Sequence, residues 1–181
     1  WTLDTPGTET PLMVLSTYPS FSVTLSSAIL TLGQGTTVYY GLISNATYYF
    51  KVKVSTESDA SYSAAVSSAT PPVAPQSFAL AEVNVASFTA QWSAWNNGPG
   101  TVYWAEASLD DSFSINAISS GTAALALYEG LNPNSTYFLR VKTLGFGGQD
   151  SGYNSYGSTT TRAYPPGTEA YPAVAASTLT L

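Results

Sequence analysis

The sequence predicts an all-β protein built from two tandem β-sandwich units, and three observations lead to this prediction. Short runs of alternating apolar and polar residues recur along the 181 residues, separated by Gly, Pro, Ser, Asn and Thr. No stretch keeps a sustained helical period of 3.6 residues. A block of sequence also returns after about 90 residues, which is the length of one small sandwich.

Seven runs are predicted strands because β-branched, aromatic and alternating apolar residues dominate them. In the third run, alternation places Tyr48, Phe50 and Val52 on one face and Lys51 and Lys53 on the other. The last run repeats this pattern, so its basic residues should also face outward. In chain order, the predicted strands are residues 12–15, 36–40, 47–54, 87–92, 101–107, 123–128 and 135–142.

Composition excludes several classes of function. The chain has no His and no Cys, so it lacks the base of a Ser-His-Asp triad, the usual zinc ligands and any disulfide. Five basic residues against eleven acidic ones argue against a nucleic-acid partner. No apolar run approaches the ~18 residues of a membrane-spanning helix. We therefore expect no catalytic or metal site, no cofactor, no nucleic acid and no membrane span.

The repeat is clearest where residues 41–53 return as residues 130–142 with the pattern Gly-Leu-x-x-Asn-x-Thr-Tyr-x-x-x-Val-Lys. Leu42 and Leu131 lie 89 positions apart, and Trp1 and Trp92 lie 91 apart. The pair Pro71-Pro72 returns as Pro165-Pro166.

These motifs resemble fibronectin type III domains. Leu131-x-Pro133-x-x-x-Tyr137 is similar to the tyrosine corner of that family, and Trp92 to its strand-B Trp. Ser44 stands where Pro133 stands in the other copy, which is a departure from the pattern. The resemblance implies a β-sandwich of a secreted or cell-surface protein, and it indicates a fold rather than a function. The expected core signature is Trp92, Tyr48, Tyr137, Leu42 and Leu131.

The repeats divide the chain into a first unit of residues 1–72, a second unit of residues 73–164 and a segment of residues 165–181. Because Trp1 aligns with Trp92, we expect the first unit to lack its own strand A and most of strand B. Residues 165–181 resemble the missing lead-in, so we expect them to supply strands A and B of the next unit.

The register of this junction follows from side-chain alternation. With one residue absent between Leu181 and Trp1, the inward set becomes Leu179, Leu181 and Trp1, whereas direct succession would turn both leucines outward. The expected partner is another copy, joined head to tail, either as a separate subunit or as the next period of a longer covalent array. The expected assembly interface consists of Trp1, Leu3, Tyr171, Val174, Leu179 and Leu181.

The predicted function is therefore a structural subunit or repeat of an extracellular filament or stalk. The alternative is an adhesin or a carbohydrate-binding spacer, because aromatic residues such as Trp95 and Tyr164 fall in predicted loops. Two Asn-x-Thr sequons make Asn45 and Asn134 possible glycosylation sites, although Asn also suits the turns in which they lie.

Two smaller predictions concern the second unit. On the outer face, Glu106 is expected to pair with Arg140 or Lys142, and Trp104 to stack on Arg140. The adjacent carboxylates Asp110 and Asp111 are interpreted as a turn after a strand rather than a cation site.

Overall fold

The structure is a computed structural model that describes residues 9–31, 36–114, 116–121 and 123–167. Eleven strands lie in these residues, which confirms the predicted all-β class. They are β1 (Pro11–Ser16), β2 (Ser26–Ile29), β3 (Thr47–Val54), β4 (Val66–Ala69), β5 (Gln76–Ala81), β6 (Phe88–Ser93), β7 (Val102–Ser108), β8 (Asn116–Gly121), β9 (Leu125–Tyr128), β10 (Thr136–Leu144) and β11 (Asn154–Thr160). The 3-10 turn Asp59–Ser61 precedes β4.

The second unit packs two antiparallel sheets face to face. One has the strand order β11-β10-β7-β8 and the other β5-β6-β9. Alternate side chains from both sheets fill the space between them, as expected for a sandwich. Phe88 of β6 lies at the centre, fully buried against the rings of Tyr128 and Tyr137 at centroid distances of 5.2 and 6.0 Å.

The first unit shows a single four-stranded sheet in the part of the chain that the structure describes, in the order β2-β1-β3-β4. Its register repeats that of the second unit, because Leu12 pairs with Lys53 just as Trp104 pairs with Lys142. Strands β1, β3 and β4 are thus the counterparts of β7, β10 and β11. Among residues 9–31 and 36–72, no sheet corresponds to β5-β6-β9. That the first unit lacks strands A and B stays a prediction, because part of it falls on residues 1–8, outside the described chain.

Residues 36–40 do not form the strand predicted from their Thr-Thr-Val-Tyr-Tyr sequence. Their counterpart in the second unit, β9, is a strand because it pairs with β6, with Ala126 opposite Ala90. No counterpart of β6 accompanies residues 36–40 in the described chain, so these residues have no ladder to join.

Candidate assembly interface

The turn that precedes β3 in the first unit and β10 in the second has the same hydrogen bonds in both. The backbone N–H of Ile43 donates to the Tyr48 hydroxyl at 2.9 Å, and that of Asn132 donates to the Tyr137 hydroxyl at 2.9 Å. This bond ties each buried tyrosine to the chain five residues upstream. Both units therefore have a tyrosine corner, the feature that the sequence motif resembles.

Each of these turns contains an asparagine in the left-handed backbone region. Asn45 and Asn134 both have φ of 48°, a conformation that Asn tolerates better than most residues. The Asn45 N–H donates to Pro71 O at 3.1 Å, and the Asn134 N–H donates to Arg162 O at 3.2 Å. The turns are therefore anchored to the segments that leave β4 and β11.

A threonine closes each turn from the other side. The Thr70 hydroxyl donates to Ile43 O at 2.6 Å and accepts the Ala46 N–H at 3.1 Å. The Thr161 hydroxyl makes the corresponding bonds to Asn132 O at 2.6 Å and from the Ser135 N–H at 3.0 Å. The two turns thus share one rigid framework; we call residues 43–46 the Asn45 turn and residues 132–135 the Asn134 turn.

The Asn45 turn is inserted into the second unit. Asn45 is fully buried. Its Nδ2 donates to the Thr101 hydroxyl at 3.0 Å and to Leu144 O at 3.1 Å, while its Oδ1 accepts the Phe146 N–H at 2.8 Å. Both amide hydrogens and the amide oxygen are therefore engaged, by the loop before β7, by the last residue of β10 and by the loop that follows it.

Backbone hydrogen bonds beside Asn45 add to this contact between the two units, which we call the joint. The Ser44 N–H donates to Asn96 O at 3.1 Å, and the Gly98 N–H donates to Ser44 O at 2.8 Å. A Cβ on Gly98 would lie 3.1 Å from Asn45 O and 3.4 Å from the Ala46 Cβ. A side chain at position 98 would therefore fit only if the Asn45 turn moved by a few tenths of an ångström.

The segment between the units is held by side chains of the second unit. The Asn97 side chain accepts the Val73 N–H at 3.0 Å and donates to Val73 O at 2.9 Å. The fully buried Thr143 hydroxyl also donates to Val73 O, at 2.7 Å. The joint is therefore bonded at the turn and at the linker, which restricts rotation of one unit against the other.

The two sequons occupy different environments. A glycan on Asn45 would attach to the Nδ2 that makes two hydrogen bonds inside the joint, so it is incompatible with this arrangement of the units. Asn134 is exposed at the far end of the second unit. Its glycosylation stays a prediction.

An apolar groove opens on the first unit where the second unit has its other sheet. The groove has a volume of about 440 Å³. The Tyr39 hydroxyl beside it is buried and has no hydrogen-bond partner among the described residues, and burial raises its pKa. The lining includes Met13 and Leu15 of β1, Tyr48 and Phe50 of β3, Leu42 and residues 36–39.

The core-signature residues divide between the two units. Trp92, Leu131 and Tyr137 are buried between the sheets of the second unit. Tyr48 is buried in the first unit, whereas Leu42 is only half-buried because it lines the groove. The expected interface residues Trp1, Leu3, Tyr171, Val174, Leu179 and Leu181 all lie outside the described residues.

Cations on the outer face of each unit lie between aromatic rings. The Arg140 guanidinium is 4.0 Å from the Phe113 ring centroid and 4.1 Å from that of Tyr153, so the rings that flank it are these two rather than the predicted Trp104. The predicted ion pair is present, with Arg140 Nε 2.5 Å from Glu106 Oε2. In the first unit, Lys51 lies between Phe21 and Tyr62 at 4.5 and 4.2 Å.

The pKa of Glu106 is lowered despite its buried position. Burial alone would raise this pKa, but hydrogen bonds from Arg140, Tyr153 and Trp104 favour the carboxylate and outweigh it. The Asp110 carboxylate accepts hydrogen bonds from Ser112 and Ser114, which supports its interpretation as a turn.

No group of three or more acidic residues that could hold a metal ion occurs among the residues described. None of the helical segments within them is long and apolar enough to cross a membrane.

Comparison with solved structures identifies the fold. The chain is similar to a two-domain fibronectin type III segment of chicken tenascin, with 13 % identity, a TM-score of 0.61 and 86 % of each chain covered. It also matches the fibronectin type III domain of the human collagen alpha-1(XX) chain, with 20 % identity, a TM-score of 0.45, and 55 % of this chain and 93 % of that one covered. No family model and no curated protein sequence matches the chain. The tenascin likeness confirms the tandem fibronectin type III fold.

Proposed function

For a chain with the tandem fibronectin type III fold, we propose that it is a structural repeat of an extracellular or cell-surface filament or stalk. Copies join head to tail, and the segment 165–181 of one copy completes the first unit of the next. No catalysis is involved. The observation that carries this proposal is the apolar groove on the single sheet of the first unit.

The second unit is the template for how the groove is filled. There, Phe88 and Ala90 of β6 point into the core and are 0 % and 2 % exposed, while Thr89 and Gln91 point outward. In the register derived from the sequence, Leu179 and Leu181 take the positions of Phe88 and Ala90. A strand carrying them beside residues 36–40 would give those residues the ladder that β6 gives β9.

Filling the groove would stabilise the assembly in two ways, by burying leucine side chains of the incoming segment and by placing polar backbone groups near Tyr39. Each leucine side chain moved from water into an apolar core contributes about 1.5–3 kcal/mol. A backbone strand in the groove also brings donors and acceptors near the buried Tyr39 hydroxyl, which has no partner among the described residues.

The joint between the units supports a mechanical role. A linker held at Val73 and a turn held at Asn45 transmit force without a free hinge. Sparse charge, only 9 % of residues, also leaves little desolvation cost when such rods pack side by side.

The proposal allows two kinds of connection between copies. They are either separate subunits or consecutive repeats of one longer covalent chain. Intact mass of native material under denaturing conditions distinguishes them. A mass near 19.0 kDa means separate subunits, and a much larger mass means a continuous array.

The direct test is assembly of the full chain carrying Leu179→Asp, with Thr180→Asp as the matched control. A charge at position 179 would enter the groove and should abolish filaments in electron microscopy and sedimentation. The same charge at position 180 faces water and should leave them unchanged. Equal assembly of both variants, or a wild-type chain that stays monomeric at micromolar concentration, would contradict the proposal.

The second candidate is an adhesin or carbohydrate-binding spacer. Trp95 favours it, because this residue is 65 % exposed in the loop between β6 and β7. Aromatic rings stack on sugar faces. Retention on a polysaccharide column that is lost in Trp95→Ala would support this function, and no retention on any glycan would remove it.

A further inference from the structure

We propose that the outer face of the β5-β6-β9 sheet is a lateral contact through which copies of the chain in neighbouring filaments pack face to face. The proposal rests on the filament proposed above and names the surface on which filaments associate side by side. We call this surface the β9 face. It consists of Ala79, Ala81, Thr89, Gln91, Leu125 and Leu127.

Side-chain alternation in the three paired strands places these residues on the outside. Ala90, Ala126 and Tyr128 are buried between the two sheets of the second unit, so the residues that alternate with them face away from that core. Leu125 and Leu127 are 49 % and 52 % exposed. The pairing of the strands aligns the face in two rows, with Ala79, Gln91 and Leu125 in one and Ala81, Thr89 and Leu127 in the other.

The β9 face carries no charge. None of the residues of β5, β6 and β9 is charged, whereas the outer face of the other sheet holds Glu106, Arg140 and Lys142. The chain has a formal net charge of −6, so copies repel one another wherever their acidic residues meet. A contact through an uncharged face avoids most of this repulsion and also the cost of removing charged groups from water.

The two edges of the β9 face complement each other in size. Leu125 and Leu127 lie on β9, and the small side chains of Ala79 and Ala81 lie on β5 at the opposite edge. A second copy related by a two-fold axis parallel to the strands would place its leucines over these alanines. One surface thus supplies both halves of the contact, which is the property of an isologous interface. The proposed occupant is therefore a second copy of this chain.

The area of the β9 face suits a contact that is repeated along a filament. Three strands about 4.8 Å apart and four residues long, at about 3.3 Å per residue, cover roughly 200 Å² on each copy. Stable protein pairs bury about 800 Å² on each partner, so two isolated chains should not stay together through this face. A filament presents the face once in every copy, and the contacts of linked copies add up.

Two acidic residues lie just beyond one end of the β9 face. Glu82 follows β5 and Glu129 follows β9, and these strands run in the same direction because both are antiparallel to β6. The two-fold arrangement brings Glu82 of one copy towards Glu129 of the other. Bundling of filaments should therefore increase when added salt screens this repulsion. Bundling that weakens with added salt would indicate a contact between opposite charges and would contradict the proposal.

The main test is assembly of the full chain carrying Leu125→Glu and Leu127→Glu together. Wild-type filaments should form bundles that sediment at low speed. Filaments of the variant should stay single and sediment only at high speed, because each lateral contact would bury glutamate side chains. The matched control combines Ile29→Glu with Leu109→Glu, which adds the same charge at apolar residues that are 67 % and 42 % exposed elsewhere on the chain. Its filaments should bundle as the wild-type filaments do.

A charge swap tests how the two copies are arranged. Filaments of Ala79→Lys alone and of Leu125→Glu alone should not bundle. A mixture of the two should bundle, since position 79 of one copy lies over position 125 of the other and the new charges are opposite. Both positions are exposed, so these substitutions leave the core unchanged.

Electron microscopy of the same samples separates bundling from filament formation. The lateral contact is overturned while the filament stands if wild-type filaments never bundle, if the double glutamate variant bundles equally well or loses its filaments altogether, or if the charge-swap mixture stays single. A wild-type chain that forms no filaments overturns the filament proposal, and the lateral contact with it.

Discussion

At the scale of single residues, the joint depends on a side chain that both donates and accepts. Asn45 meets a hydroxyl and a carbonyl with its Nδ2 and a backbone N–H with its Oδ1. Aspartate could tolerate the backbone conformation but has no donor for Leu144 O. Glycine would keep the backbone conformation and leave three polar groups of the second unit without these bonds.

We expect Asn45→Gly to lower the free energy of unfolding by about 2–3 kcal/mol, at roughly 1 kcal/mol for each hydrogen bond lost. Urea denaturation of the full chain measures this change. Asn134→Gly is the control, because it makes the same substitution at the same φ on an exposed turn. Similar losses in the two variants would show that the turn conformation, rather than the joint, accounts for the effect.

At the scale of elements, the outer face of the β7–β10 pair couples stability to pH. Arg140 lies between two rings and bonds Glu106, whose side chain is only 6 % exposed. The pKa of Glu106 is lower in the folded chain than in the unfolded one, so its contribution to stability is present above the ordinary glutamate pKa. It is lost as the pH falls through the lowered value.

Stability should therefore decline as the pH drops below about 4.3, the ordinary pKa of a glutamate. Replacing Glu106 with glutamine should flatten this decline, because the titrating group is gone and an amide still bonds the guanidinium. Urea midpoints from pH 6 to pH 3 on both proteins provide the measurement. Parallel curves for the two would assign the acid sensitivity to other carboxylates.

Two short segments show where sequence patterns mislead at this scale. Residues 116–121 are not among the seven predicted strands, yet they form β8 because the edge of β7 offers them a partner from Tyr103 to Ser108. Residues 36–40 have strong strand propensity but form no strand, because no partner lies beside them in the described chain. Pairing decided both outcomes.

At the scale of the whole molecule, the two units repeat the same sheet, but the core of the first unit is less buried than that of the second. Leu139 and Val141 of β10 are nearly inaccessible to water, whereas Phe50, the counterpart of Leu139 in β3, is half-buried beside the groove. An open core buries less apolar surface, so the first unit should be the less stable one until the groove is filled.

Hydrogen exchange on unassembled chain should show faster exchange of the β3 amides, Thr47–Val54, than of the β10 amides, Thr136–Leu144. Assembly should slow the first set and also residues 36–40, since these gain a ladder. Equal protection in the unassembled chain would mean that the first unit is already complete.

The sequence alone determined the all-β class, the fibronectin type III likeness and the two copies, because side-chain alternation and a repeated motif report local geometry directly. It placed Glu106 opposite two cations, and the structure decided that its partner is Arg140. Only the tertiary structure placed Asn45 inside the joint and Asn134 outside it, although both lie in the same Asn-x-Thr motif. The reason is that burial of a turn depends on what the neighbouring unit places against it, and that information lies about 50 to 100 residues away along the chain.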